Sequence, residues 1–277
     1  MSKKIIINSI KIRNISLFLE LLQYRKLILI IFRREFISSY KQTVLGPLWI
    51  VLNPLITSFV FTLIFSNIAK ISTDQIPPFL FFFSGLTIWN LFQNNIIQIS
   101  SFYISSASYF KKLYFPRLVI PFSYLLNNTI RFVIQFAILL LFIYVIYDFK
   151  LVLNFYSFLL ILFVFIYCQL FCLGLGLIIN SFTYKYRDLN YLTTYAMTIW
   201  MYLSPIAYPV SQAPAKLQLI LLLNPITPII ELFRYSLFNI GLINKTSIIV
   251  SLVSLFSVLF IGIFLFIKTE KNFIDNV

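Results

Sequence analysis

Polar side chains recur at helical spacing inside otherwise apolar runs, and these have the most chemistry to offer. Thr87, Asn90, Asn94, Gln98 and Ser101 fall at i, i+3, i+7, i+11 and i+14, one face of a helix. Tyr191, Thr194, Tyr195, Thr198 and Tyr202 form a second such stripe. Two readings are open for both. Amides and hydroxyls on one face can bond neighbouring helices, each contact worth about 0.6–2 kcal/mol in a membrane. The same face can wet a path for a polar substrate, and tyrosine, with an apolar ring and a hydroxyl tip, suits the mixed surface of a sugar. Asn90, Asn94, Gln98, Tyr191, Tyr195 and Tyr202 are the candidate path residues.

Two further features invite a function. Arg131 stands inside a long apolar run, where an unpaired charge costs about 2.5–3.5 kcal/mol on insertion scales. It must face protein, water or an anion, so both a structural pairing and contact with an anionic substrate group account for it. Tyr109, Phe110, Leu113 and Tyr114 fall at i, i+1, i+4 and i+5, an apolar helical face suited to a groove in a partner. Lys111 and Lys112 lie off that face. The plainer reading there is a solvated basic loop.

Catalytic patterns are missing. Lys245-Thr246 lacks the preceding glycines of a phosphate-cradling loop, there is no histidine, and no pair of carboxylates falls inside the apolar runs. Cys168 and Cys172, at i and i+4, make neither a CxxC pair nor a zinc site and read as small buried hydrophobes. The expectation is a chain that is not an enzyme and holds no metal or cofactor of its own.

The elements that must position these residues follow from composition. Of 277 residues, 60% are hydrophobic and only 11% charged, against about 25% charged in soluble domains. Mean hydropathy is +0.93. A globular core of this size cannot hide so much apolar surface, so lipid is the solvent for most of the chain. A bilayer needs about 20 apolar residues per helix. The reading is an all-α integral membrane protein with six spans over about 44–65, 79–99, 118–146, 153–179, 189–203 and 247–267. Residues 1–43 form a cytoplasmic N-terminus containing an interfacial amphipathic helix, because the apolar stretch 27–32 is bounded by charge and too short to span. Residues 44–277 form the transmembrane domain.

The net charge of +14 fits orientation against an anionic leaflet better than nucleic acid, which is not expected as a partner. With both termini inside, the outer segments keep only Lys70, Lys150, Lys216, Arg234 and Lys245, a clear positive-inside bias. Between the fifth and sixth spans, short apolar runs are broken at Asn224-Pro225 and Pro228. Short helices re-entering from the outer face fit this segment better than a span. The start of the chain lacks the apolar core and cleavage site of a removable signal.

Four stretches resemble the ABC-2 type permeases that export polysaccharides such as O-antigen, capsule and teichoic acid. They are Arg33 to Phe36 with Tyr40 to Trp49 and Asn53-Pro54; Tyr114 to Arg117 with Pro121; Tyr186 to Leu189 with Ser204 to Ile206; and Asn224 to Pro228 with Phe233-Arg234. The resemblance implies a homodimer in the inner membrane bound to two copies of a separate ATP-binding cassette subunit. That partner would hold the ATP and Mg, and a lipid-linked glycan would be the cargo. It further implies a coupling helix between spans two and three, where Tyr109, Phe110, Lys111, Leu113 and Tyr114 become the ATPase-coupling residues. A permease for a drug or lipid is the alternative; a membrane glycosyltransferase is disfavoured because no acidic cluster is present.

Overall fold

A computed structural model describes residues 21–106, 115–146, 154–241 and 243–274. Among these the only regular structure is helix. Helix α1 covers Arg25–Tyr40, α2 Trp49–Phe61 with a π-helical continuation Thr62–Ile68, α3 Pro78–Ser100, and α4 Phe102–Ser105. Then come α5 Val119–Ile146, α6 Phe155–Thr183, α7 Leu189–Tyr202, α8 Ala215–Leu223, α9 Thr227–Phe238 and α10 Lys245–Ile274.

Local chemistry sets several boundaries. Gly46 takes φ +52°, a left-handed conformation costly for residues with a Cβ, and turns the chain from α1 into the run leading to α2. Pro78 opens α3, where its missing N–H is no loss. Asn239, with φ +54°, ends α9 in a left-handed cap. Between α8 and α9 the chain bends by 86° at Asn224-Pro225.

Among the described residues, four helical stretches are long and apolar enough to cross a membrane: Gly46–Ile68, Val119–Ile146, Phe155–Thr183 and Lys245–Glu270. The bent pair α8 and α9 makes a fifth if counted as one broken span. The chain is a multi-pass membrane protein. Helix α3, expected as the second span, is long enough but too polar to qualify. Its placement explains this. It packs against α2, α5, α6, α7 and α9, and most of its residues from Leu80 to Ser100 are buried. A helix wrapped by others can carry amides that a lipid-facing helix cannot.

The most extensive contact joins α6 to α10. Their backbones meet at Gly174 and Gly262, where a Cβ on Gly174 would lie 2.9 Å from the Leu259 backbone. A Cβ on Gly262 would collide with the Gly174 carbonyl. Small residues at such crossings let helices approach closely where no hydrophobic force separates helix from lipid.

Helix α1 lies along α5 and buries Ile31, while Leu29, Ile30 and Ile37 stay exposed. At the bundle end far from α4, Arg234 of α9 is 1% exposed. Its Nη1 donates to the Pro205 carbonyl at 2.7 Å and to Glu231 Oε1 at 3.3 Å, and its Nη2 to the Phe81 carbonyl at 3.3 Å. The guanidinium also stacks over the Phe81 ring at 3.6 Å, and any side chain on Gly85 would collide with it. The charge count assigns Arg234 to the outer segment between the fifth and sixth spans. Within that segment it is a buried tie joining α3, α9 and the Ser204–Ile206 segment, with its carboxylate one helical turn back, at i−3.

Two outcomes follow. Arg234→Met leaves Glu231 buried without its cation and should cost about 3–5 kcal/mol; thermal unfolding in detergent checks this, and Glu231→Gln in the same chain should recover part of the loss. Gly262→Val must push α10 off α6 and should cost about 1–3 kcal/mol by overpacking. An unchanged melting temperature would show that the crossing is not tight.

Candidate functional site

The stripe on α3 joins a set of interhelical hydrogen bonds. Asn90 Nδ2 donates to Gln135 Oε1 on α5 at 3.5 Å, and Gln135 Nε2 reaches the Ile50 carbonyl on α2 at 3.2 Å. Gln98 Oε1 accepts from Asn128 on α5 at 3.1 Å. Asn94 is half-buried and makes no side-chain hydrogen bond among the described residues. Thr87 and Ser101 bond carbonyls of their own helix, Phe83 at 2.8 Å and Ile97 at 3.0 Å.

The centre of this arrangement is Asn95, one residue off the expected stripe. It is fully buried, donates to Gln169 Oε1 on α6 at 2.9 Å, and accepts from Asn128 at 2.8 Å. Gln169 in turn donates to Thr129 on α5 at 2.7 Å. Three helices are thus joined by a chain of amides. The periodicity argument missed Asn95 because it followed one face. The signal that finds it is the presence of Asn128 and Gln169 in separate apolar runs, each needing a partner in a medium without water.

The tyrosines of α7 sit in a different environment. Tyr191, Tyr195 and Tyr202 are 83%, 66% and 53% exposed. The opposite face of α7 meets the bundle through buried Thr193 and Met197, and Trp200 packs edge-on to Phe92 of α3 at 5.2 Å. Within the chain the two stripes therefore point apart. The α3 amides face α5, and the α7 tyrosines face away from the chain.

Arg131 pairs across to α1. Its Nη2 donates to Ser39 Oγ at 3.4 Å and its guanidinium lies 5.6 Å from the Tyr40 ring centre. Among the described residues no carboxylate comes within ion-pair distance of it.

Tyr109, Phe110, Lys111, Leu113 and Tyr114 lie outside the described residues. Their flanks are held firmly. The Ser100 carbonyl accepts from Asn180 Nδ2 at 2.9 Å and also from Thr183 Oγ1, both on α6. Ser105 and Ser106 meet the Tyr124 hydroxyl at 3.2 and 3.3 Å. Arg117 reaches Glu270 at the end of α10, Nε to Oε1 at 4.0 Å and Nη1 to the carbonyl at 3.3 Å, and covers the Tyr103 ring at 5.7 Å. Burial, reinforced by the nearby Glu270 charge, pushes the Tyr103 phenol well above its ordinary range despite Arg117, so it stays protonated.

At the far end, Asn224 organises the bend. Its Oδ1 accepts from Trp200 Nε1 at 3.0 Å and the Ile226 N–H at 3.2 Å, while its Nδ2 donates to the Leu203 carbonyl and Ser204 Oγ, both at 3.0 Å. Ser251 of α10 donates to the Pro225 carbonyl at 2.8 Å, and Tyr167 of α6 donates to the Ser251 carbonyl at 3.0 Å. Cys168 and Cys172 are fully buried and free.

The arrangement combines a wrapped polar helix, an exposed aromatic face, firmly bonded residues on either side of the undescribed stretch 107–114 and irregular elements at the other end. The ABC-2 type transporter family matches residues 26–238. An O-antigen export system permease protein RfbA of Klebsiella pneumoniae is 27% identical over 250 residues, covering 90% of this chain and 94% of that protein. The protein of the same name from Myxococcus xanthus is 30% identical over 220 residues, covering 78% and 81%. On the extent of that match, the chain belongs to the ABC-2 type transporter family.

Proposed function

We propose that this chain is the membrane-spanning permease subunit of an ATP-driven exporter for a lipid-linked cell-surface polysaccharide. The observation that carries the reading is the family match over most of the chain, together with end-to-end similarity to permeases named for O-antigen export. In this reading α3 and α7 also cross the bilayer, giving six spans. Helix α3 has 23 residues, about 34 Å of rise, enough for a core about 30 Å thick. Helix α7 has only 14, and the Ser204–Pro209 segment makes up the depth.

The α4 end faces the cytoplasm with both termini, in the inner membrane, and α1 rests at the interface. Two copies of an ATP-binding subunit, which carry the ATP and Mg, bind there through residues 109–114. The basis for this is position: that segment is flanked by the end of α3, α4 and Arg117, which are bonded to α6, α5 and α10 in turn. A push on it reaches three long helices.

The path forms between two copies of the chain. One protomer turns Tyr191, Tyr195 and Tyr202 outward, and a two-fold partner would bring two such faces together. Aromatic rings can stack on the C–H faces of sugars while the glycan's hydroxyls stay wet. Arg131, balanced by Ser39 and Tyr40 rather than a carboxylate, keeps charge to offer the phosphate of a lipid linker.

In cells, loss of this chain should leave the lipid-linked glycan inside. Purified alone, the chain should turn over no ATP, and activity should need a co-purifying ATPase; steady hydrolysis by the chain alone would defeat the reading. Tyr191→Ala, Tyr195→Ala and Tyr202→Ala should each lower export by about 2- to 10-fold, the worth of one aromatic stack of about 0.5–1.5 kcal/mol. Phe should be better tolerated, and chain abundance and ATPase association should not change. Normal export by all three Ala chains would make the α7 face a packing surface.

A further inference from the structure

A cavity of about 720 Å³ opens at the far end, between the Val210–Gln212 turn, the bent pair α8 and α9, and the start of α10. That volume lies within the roughly 300–1,000 Å³ of small-molecule sites. Seven of its eleven lining residues are polar, which is unusual in a chain that is 60% hydrophobic. Thr227 and Ser247 line it from α9 and α10; both are 4% exposed, and neither hydroxyl has a hydrogen-bond partner among the described residues. Buried polar atoms are normally paired, so two orphan hydroxyls beside one cavity point to something that pairs them.

The charges in the cavity balance. Glu231 is held by Arg234 at 3.3 Å; the Asp74 carboxylate accepts from the lining Ser211 at 2.8 Å, and Lys245 supplies the opposite sign on the exposed rim. An anion or a cation would meet its own charge on one wall. What remains is a set of neutral groups. Gln218 donates its amide hydrogen to the Ala213 carbonyl at 2.9 Å and so offers its carbonyl oxygen; Ser211 donates to Asp74 at 2.8 Å and so offers only lone pairs, and the two orphan hydroxyls can each donate or accept. Pro228 and Leu222 add apolar surface. Donors and acceptors interleaved with small apolar faces complement an uncharged polyol ring.

We propose that this cavity is a saccharide subsite that holds one or two uncharged sugar units of the glycan as it leaves the chain, with Thr227 and Ser247 as its buried contacts. This rests on the polysaccharide reading given above. The subsite is complete within one protomer and separate from the α7 tyrosines. Its walls are α8, α9 and α10, and Tyr167 and Ser251 fix the break between α8 and α9 to the body of the bundle. Movement of the long helices can therefore reshape it.

The test places a photoreactive benzophenone amino acid at Gln218, which lines the cavity, or at Leu219, which is on the same helix, exposed and outside it. Each chain is expressed with its ATPase in cells that make the glycan, irradiated during export, and probed for glycan-bearing adducts per chain in the membrane. Adducts at 218 but not 219, weakened several-fold by Thr227→Val with Ser247→Ala, are the expected result. Surface glycan at normal levels with no adduct at 218, or with equal adducts at both positions, overturns the subsite and leaves the exporter reading standing. Surface glycan that persists when the chain is deleted overturns the exporter reading, and the subsite with it.

Discussion

An amide side chain in hydrocarbon has no water to bond, and leaving it unpaired costs about 2–7 kcal/mol depending on the reference medium. Much of this architecture answers that constraint. Helix α3 carries Asn90, Asn95 and Gln98 through the middle of the bundle, and α5 and α6 bring Asn128, Gln135 and Gln169 to meet them. The amide chain fixes the rotation of three helices relative to one another, which apolar packing against lipid-like neighbours does only weakly. The phenylalanines around it, Phe92 on Phe171 and Phe132 on Phe165, then fill the space that this rotation defines.

The far end meets the same constraint by another route. The Ser204–Ile206 segment is not helical, and its carbonyls, buried away from water, would otherwise be orphaned. Arg234 supplies them with donors, and its own charge is answered by Glu231 and the face of Phe81. Asn224 serves α7 in the same way, accepting and donating across the end of that helix. Irregular backbone is thus bought with two polar side chains, of which Asn224 is itself saturated while the Nε of Arg234 finds no partner among the described residues.

Hydropathy made the long helices legible, since a run of apolar residues flanked by charge has few other uses. The helices over Val119–Ile146 and Phe155–Thr183 lie where the apolar runs do. The break at Asn224-Pro225 was also readable, because proline and a preceding asparagine punctuate a helix in known ways. Less legible was the placement of Arg234: charge counting treats every arginine near a loop as solvated, and only a three-dimensional contact with Glu231, Pro205 and Phe81 says otherwise. Asn95 was hidden for a similar reason. A stripe drawn on one helix shows which residues share a face, whereas the buried residue is chosen by what the neighbouring helices present. The outward turn of the α7 tyrosines was not readable at all, since a stripe at helical spacing is the same whether it faces core or lipid.

The polarity of α3 has a consequence for how the protein is made. The ribosome delivers α3 well before Asn128 and Gln169, the groups that will satisfy its amides, have been synthesised. Released sideways into lipid at that moment, α3 would carry Asn95 with no partner. Packing α3 together with α5 and α6 avoids that cost, so the amides couple the assembly of these three helices, a coupling that the hydropathy of each segment taken alone does not carry.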